Sequence, residues 1–303
     1  MILVTGATGM TGQFVVKELL KRGYAVKALT RDESVSKVPA GAEVFIGDLS
    51  DADSITHVAQ SVQGIIHTAC TFLHHEIDIA AMRALVNAWQ AGPFIYVSSL
   101  DVYGFPASFP VTEDHALVAS ADTYPQGQMT GYAYGKFCCE QLLTNKANGA
   151  TRTDYAILRA PHIWGPHPKA HAALTSSLNK VKNTIVLPGE TEQEWSQYGD
   201  AWIDVRDLAR VIVDSFEKPS GEAMNTLSGH FSWHELYTHL VRLTNRRSEI
   251  IHKPLSEIED GIFGHQFFAQ PWRFNNERLT QDLAYKPNFS LEQTLQDTIA
   301  SAG

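Results

Sequence analysis

The sequence predicts an α/β fold built on a doubly wound parallel sheet, and three observations carry that expectation. Short apolar runs alternate with helical patterns from residue 1 to about 160. Glycines 6, 9 and 12 separate the first apolar run from the first helical one. The β–α order then repeats, which requires parallel strands joined by right-handed crossovers.

Taken in order, Ile2–Thr5 is the first strand and Gln13–Arg22 the first helical pattern, closed by Gly23. Ala25–Thr30 is a strand that ends in a turn. Glu43–Ile46 leads through Gly47-Asp48-Leu49 to a helix near Asp53–Gln63. Gly64–Thr68 reads as a buried strand, Ile77–Gln90 as a helix and Phe94–Ser98 as another strand. Helical periodicity returns in YAYGKFCCEQLL at 132–143, and Ala156–Arg159 has the character of a further central strand. Beyond about 161 the pattern changes. Pro161, Pro166 and Pro168 break the periodicity. Gly189–Gly199 is polar and aperiodic and is expected as a loop, whereas Ser232-Trp233-His234-Glu235 has the capping pattern that starts a helix through Leu243. The expected organisation is a Rossmann-type domain over 1–160, with segments near 200–215 returning to it. Residues 161–303 are expected mainly as a small, discontinuous C-terminal α/β substrate lobe.

The 303 residues are enough for a full core, and 44% hydrophobic with 19% charged residues is an ordinary globular composition. A formal net charge of −9 without any basic stripe argues against nucleic acid or an anionic membrane as the main partner. No apolar run reaches membrane-spanning length, and the strand that opens at Met1 leaves no room for a signal peptide. A cytoplasmic location is expected. Cys70, Cys138 and Cys139 are odd in number, two are adjacent, and no zinc-like spacing exists; they read as buried small apolar residues.

Strand, glycine turn and helix in succession are what a nucleotide pyrophosphate site requires. Backbone N–H groups must approach the phosphates, and the helix N-terminus adds its positive dipole end. At the end of the second strand an acid normally binds the ribose 2′-hydroxyl of NAD, and an arginine accommodates the 2′-phosphate of NADP. Here Thr30 stands in the acid's place and Arg31 follows, a cation suited to phosphate unless Asp32 or Glu33 takes it on the surface. The cofactor expected is therefore NADP, with NAD the alternative. Asp48 and Leu49 are placed near the adenine.

Tyr132 and Lys136 are four apart in a helical pattern, so both project from one helix face. A phenol near its ordinary pKa is a poor base at neutral pH, and holding it as phenolate needs roughly 4 kcal/mol of differential stabilisation. An ammonium and the cationic ring of an oxidised nicotinamide are expected to supply it. Ser98 and Ser99 end the strand that begins at Phe94, where a doubly wound sheet exposes ligand-binding residues.

With these motifs the chain resembles the extended short-chain dehydrogenase/reductase superfamily, the NAD-dependent epimerase/dehydratase group. The resemblance is carried by TGATGMTG at 5–12, GDLSD at 47–51, His67-Thr68-Ala69, VSSLDVYG at 97–104 and YAYGK at 132–136. LRAPHIWGP at 158–166, WIDVRDLA at 202–209 and DLAYKP at 282–287 extend it over nearly the whole length. Aligned on Gly104, it implies Ser99 rather than Ser98 as the residue that polarises the substrate oxygen. Tyr132 is implied as acid/base, and Lys136 as a partner of the nicotinamide ribose. The implied cofactor site takes Gly6, Thr8, Gly9, Met10 and Gly12 from the turn, with Thr30, Arg31, Asp48 and Leu49 on the adenosine side. Thr68, Ala69 and Val97 follow from the central strands, and Pro161, His162 and Ile163 from the segment after the sixth strand. A homodimer is also implied. Asp78 and Met82 stand where the family often has Asn and Thr, and Gly135 replaces a serine before the lysine. His162 and Trp164 replace an asparagine and a tyrosine common in nucleotide-sugar enzymes.

Other polar groups read more blandly. His167 with His171, and His74-His75-Glu76, lack a convergent ligand set, so no metal is expected and they are placed in loops or the substrate pocket. Trp195, Tyr198 and Trp202 could line a pocket, although aromatic residues more often fill cores. Tyr103 is expected to pack near the active site. The leading expectation is an NADP-preferring oxidoreductase acting on a carbonyl or secondary alcohol of small to medium size. The alternative is a nucleotide-sugar epimerase or dehydratase that retains NAD, and a third reading is a non-catalytic dinucleotide sensor on the same fold.

Overall fold

The computed structural model describes residues 1–118, 129–180, 183–258 and 266–301. β1 (Ile2–Thr5), α1 (Met10–Lys21), β2 (Val26–Thr30), β3 (Glu43–Ile46), α2 (Ala52–Gln60), β4 (Ile65–His67), α3 (His75–Ala88) and β5 (Phe94–Ser99) form the first half. α4 (Met129–Gly149) leads to β6 (Tyr155–Ala160). Next come β7 (His162–Trp164), α5 (Pro168–Lys180), β8 (Thr184–Pro188), α6 (Glu192–Trp195), β9 (Gly199–Asp204) and α7 (Val205–Glu217). The chain finishes with β10 (Ala223–Asn225), β11 (Gly229–Ser232), α8 (Trp233–Leu243), β12 (Glu249–Lys253), α9 (Glu277–Leu283) and α10 (Leu291–Ala300).

Among the described residues a seven-stranded sheet runs in the order β10-β6-β5-β4-β1-β2-β3, and every pairing in it is parallel. From β1 the chain moves outward to β3, then crosses back to place β4 on the other side of β1. That reversal opens a crevice at the carboxyl ends of β1 and β4, where ligands bind in sheets of this kind.

Alternation along each strand explains the layers. Val4, Ile66 and Ile95 face α1 and α7 in one buried cluster, while Leu3, Ile65, Phe94 and Tyr96 face α2, α3 and α4 in another. Both faces of the sheet are covered, as parallel sheets require. Each such side chain contributes about 1.5–3 kcal/mol by leaving water. α7 and β10, late in the sequence, pack against α1 and beside β6.

A smaller three-stranded sheet, β11-β9-β7, and the parallel pair β8–β12 lie with α5, α8 and α10 around a separate cluster that includes Trp164, Trp202, Phe231 and Trp233. Ser232 caps α8 by accepting a hydrogen bond from the Glu235 N–H, as its spacing predicts. The stretch expected as a loop at 189–199 departs from expectation. It contains α6, where Thr191 and Glu194 form a reciprocal capping box. Four helical residues are too few to show periodicity, so only the cap could have revealed them. The structure also describes no helix among its residues long and apolar enough to cross a membrane.

Candidate active site

β1 ends at Thr5 and α1 starts at Met10, with Gly9 as its N-cap. Gly9 offers no side chain, and no acid lies in the first turn, so the orphan N–H groups there meet no capping oxygen. Gly12 is required by close packing: a Cβ on it would overlap the Gly6 carbonyl oxygen and lie 2.6 Å from the Gly6 carbonyl carbon. An uncapped helix N-terminus packed closely against a glycine turn fits a pyrophosphate. It opens into a cleft of about 760 Å³ at the crevice between β1 and β4.

The cleft brings together most of the residues expected at the cofactor. Gly6, Thr8, Gly9, Met10 and Gly12 line it, as do Thr30, Arg31, Asp48 and Leu49 on one side, and Thr68, Ala69 and Val97 at the centre. Pro161 and Ile163 close it from the other side. His162 is the exception. Its ring turns out of the lining to bond Asp200 (Nε2–Oδ2 2.9 Å) and stacks on Trp164. In the extended backbone of β7 successive side chains point to opposite sides, so the neighbours of His162 face the cleft and His162 does not. Burial pulls its pKa down, but the Asp200 carboxylate more than reverses this and leaves it raised.

On the adenosine side, Thr30 is buried and no acid ends β2. Arg31 pairs with Glu33 (Nε–Oε1 3.1 Å), with both side chains more than half exposed. The surface pairing foreseen for Arg31 is therefore present, and an exposed pair of this kind is weak enough to exchange for a phosphate. The hydroxyl and N–H of Ser50 hold the Asp48 carboxylate below its ordinary pKa.

At the inner end, Tyr132 and Lys136 project from α4 beside the end of β5. Lys136 is almost fully buried and donates to the Val97 carbonyl (2.8 Å), with its ammonium 5.0 Å from the Tyr96 ring centre and 5.8 Å from that of Tyr132. Ser99 hydrogen-bonds Tyr132 and donates to Asp101 Oδ2 (3.1 Å). Ser98 is committed elsewhere: its hydroxyl donates to Glu140 (2.6 Å). Glu140 in turn holds a buried ion pair with Arg159 (2.7 Å), and Arg159 also donates to the Tyr103 hydroxyl (2.7 Å). Tyr103 then donates to Asn225 (2.6 Å). This network ties α4 to β5 and β6 directly beneath the reactive face. Tyr103 thus packs under the site, with its hydroxyl already used.

The protein groups around Tyr132 act against its ionisation. Burial raises its pKa well above the ordinary phenol value, the Asp101 carboxylate adds to this, and the hydrogen bond to Ser99 offsets only part. The Lys136 ammonium is directed at the Val97 carbonyl. The protein groups around Tyr132 thus favour its protonated form. Nearby His67 is buried, shares a 2.6 Å hydrogen bond with Thr5 and stacks on Tyr96. Burial, then Lys136, pushes its pKa to about 3, so it stays neutral.

Sequence reasoning missed several neighbours. Cys70, Thr71, Phe72 and Ile77 line the cleft, as does Lys169 from α5. Asp78 anchors that loop by accepting from the Thr71 N–H (3.0 Å) and from the Cys70 thiol (3.4 Å), so Cys70 is not merely a packed apolar residue. The position of the loop just after a central strand was the available signal. Gly135 has a structural reason: a Cβ there would lie 2.6 Å from the His75 Cβ, because α3 and α4 pack closely. The other noted groups do not join the cleft. His171 bonds the Ile299 carbonyl, Trp195 stacks on His252, and Trp202 is in the smaller core. Among the described residues, no group of three or more potential ligands could hold a metal ion.

The sequence matches the profile of the NAD dependent epimerase/dehydratase family over residues 2–226. It is 26% identical to cinnamoyl-CoA reductase 1 of Arabidopsis thaliana over 323 aligned positions, covering 99% of this chain and 88% of that protein. It is 27% identical to a decarboxylating sterol-4-alpha-carboxylate 3-dehydrogenase of Dictyostelium discoideum, over 60% of this chain and 58% of that one. The fold superposes on a UDP-glucose 4-epimerase of Thermotoga maritima with a TM-score of 0.78 at 21% identity, covering 99% of this chain and 97% of the other.

Proposed function

The chain belongs to the NAD dependent epimerase/dehydratase family, of the extended short-chain dehydrogenase/reductase type, and is an NAD(P)-dependent enzyme; from that premise we propose that it reduces a carbonyl compound with NADPH. The observation that carries this reading is Tyr132 at the inner end of the dinucleotide cleft, hydrogen-bonded to Ser99 and beside Lys136, with burial raising its phenol pKa.

The bound dinucleotide supplies hydride; the chain supplies a place for it and a proton. The first turn of α1 and the glycine turn take the pyrophosphate, with no Cβ in the way. Lys136 takes the nicotinamide ribose while its bond to Val97 fixes its reach. Ser99 holds the substrate carbonyl oxygen, and Tyr132 donates its phenolic proton to that oxygen as the carbon is reduced to an alcohol. Water returns the proton to Tyr132 afterwards. In the reverse direction the same hydroxyl, once ionised, accepts the proton of the alcohol.

NADPH is preferred in this reading because Arg31 stands at the cleft margin and no acid ends β2. Arg31→Ala is expected to weaken NADPH roughly tenfold to a hundredfold, the value of a charged hydrogen bond, while NADH binding stays nearly constant. Fluorescence titration of both nucleotides checks this. Equal losses for the two remove Arg31 as the source of the preference.

A further inference from the structure

Among the described residues the exposed large hydrophobic side chains are Val44 and Ile46 on β3, Phe72 in the cleft lining, and its chain neighbour Leu73. Val44 and Ile46 lie on an edge strand, where single apolar residues are ordinary. The second pair is different. Phe72 is 62% exposed and adopts φ 61°, a backbone region that bulky residues rarely occupy. Held conformations of this kind persist only where the surroundings impose them, and they cluster at ligand sites.

The surroundings here are specific. Asp78 on α3 accepts from the Thr71 N–H at both oxygens (3.0 and 3.2 Å), and the Thr71 hydroxyl lies 3.1 Å from its Oδ2. The Phe72 N–H donates to Cys70 Sγ (3.4 Å), and the Leu73 N–H to the Thr71 carbonyl (2.7 Å). Fixed in this way, the Phe72 ring lies nearly parallel to Tyr132, 13° between planes and 5.3 Å between centres. A strained, exposed aromatic residue is thus held over the acid of the site instead of being buried. Its neighbour in the cleft wall is the apolar Ile77.

We propose that Phe72 forms the specificity-determining wall of the substrate site, with Leu73 beside it, and selects carbonyl compounds bearing an apolar substituent. The proposal rests on the reductase reading above. The pair's exposed apolar surface is covered when such a substituent enters, and the gain is realised only with a ligand in place.

The test uses benzylacetone and acetone as carbonyl probes with NADPH, and phenylacetamide and acetamide as unreactive probes measured by calorimetry. In the wild type, KM for benzylacetone should be at least about tenfold below that for acetone. Phe72→Ala should raise the benzylacetone KM about tenfold more than it raises the acetone KM. Phe72→Trp should keep the preference. Phe72→Leu, which retains apolar bulk without the ring, stands in if the alanine variant does not fold. A parallel change for both ketones, or none, overturns the wall. So does a Phe72→Ala variant whose sedimentation mass changes while probe binding does not, since the pair then covers a second copy of the chain. If the wild type reduces neither ketone, the reductase reading fails and the amides decide the wall separately. Weaker phenylacetamide binding in Phe72→Ala sustains it, and equal binding overturns it.

Discussion

Tyr132→Phe is expected to lower turnover by about a hundredfold to ten-thousandfold, the usual contribution of a positioned general acid. NADPH binding should survive, because the substituted ring keeps its place under Phe72 and beside the Lys136 ammonium. The pH dependence supplies a second readout. Tyr132 must carry its proton to act in reduction, and its pKa lies above the ordinary phenol value. The group is then protonated at every pH below that raised value. The reductive kcat/KM should stay flat on this account through the neutral range, falling with the loss of one proton only in strongly alkaline solution. A profile that falls with rising pH near neutrality shows a lowered phenol pKa instead. Full activity in Tyr132→Phe removes the residue from the mechanism.

Gly12→Ala is expected to abolish dinucleotide binding. All the atoms that its Cβ would meet at closest range are backbone: the Gly6 carbonyl oxygen, the Gly6 carbonyl carbon at 2.6 Å and the Ala7 Cα at 2.9 Å. No rotamer change can relieve such contacts. Either the turn opens or α1 slides outward, and both displace the N–H groups that receive the pyrophosphate. NADPH and NADH should each bind at least about a hundredfold more weakly, unlike the selective loss in Arg31→Ala, since both nucleotides share that contact. Overpacking should also lower stability by about 1–3 kcal/mol in a urea titration. Normal affinity for both nucleotides would show that the cradle lies elsewhere.

The two variants mark what was legible in the sequence. The central strands were readable because they are buried on both faces, so Ile65, Ile66, Phe94 and Ile95 form continuous apolar runs. Tyr132 and Lys136 were readable because a helix converts a spacing of four into one face. Contacts between distant elements were not. Gly135 looked like a departure from a motif until His75, sixty residues earlier, was found against it. Asp101 is next but one to Ser99, yet its effect on Tyr132 arises only when α4 folds over β5. His162 sits in a motif that lines the cleft, and strand alternation alone decides that its ring points to Asp200. Phe72 had no pattern to announce it. Its conformation depends on Asp78 holding the preceding residue from a different element.

In the proposed function the cofactor is an exchangeable NADPH whose reducing equivalents leave on a carbonyl substrate. The most direct measurement combines the nucleotide content of the purified protein with consumption of added NADPH in the presence of a panel of carbonyl compounds. The protein should be largely free of bound nucleotide, with NADPH oxidised in step with alcohol formed. Tightly retained NAD with no net consumption of NADPH would contradict it.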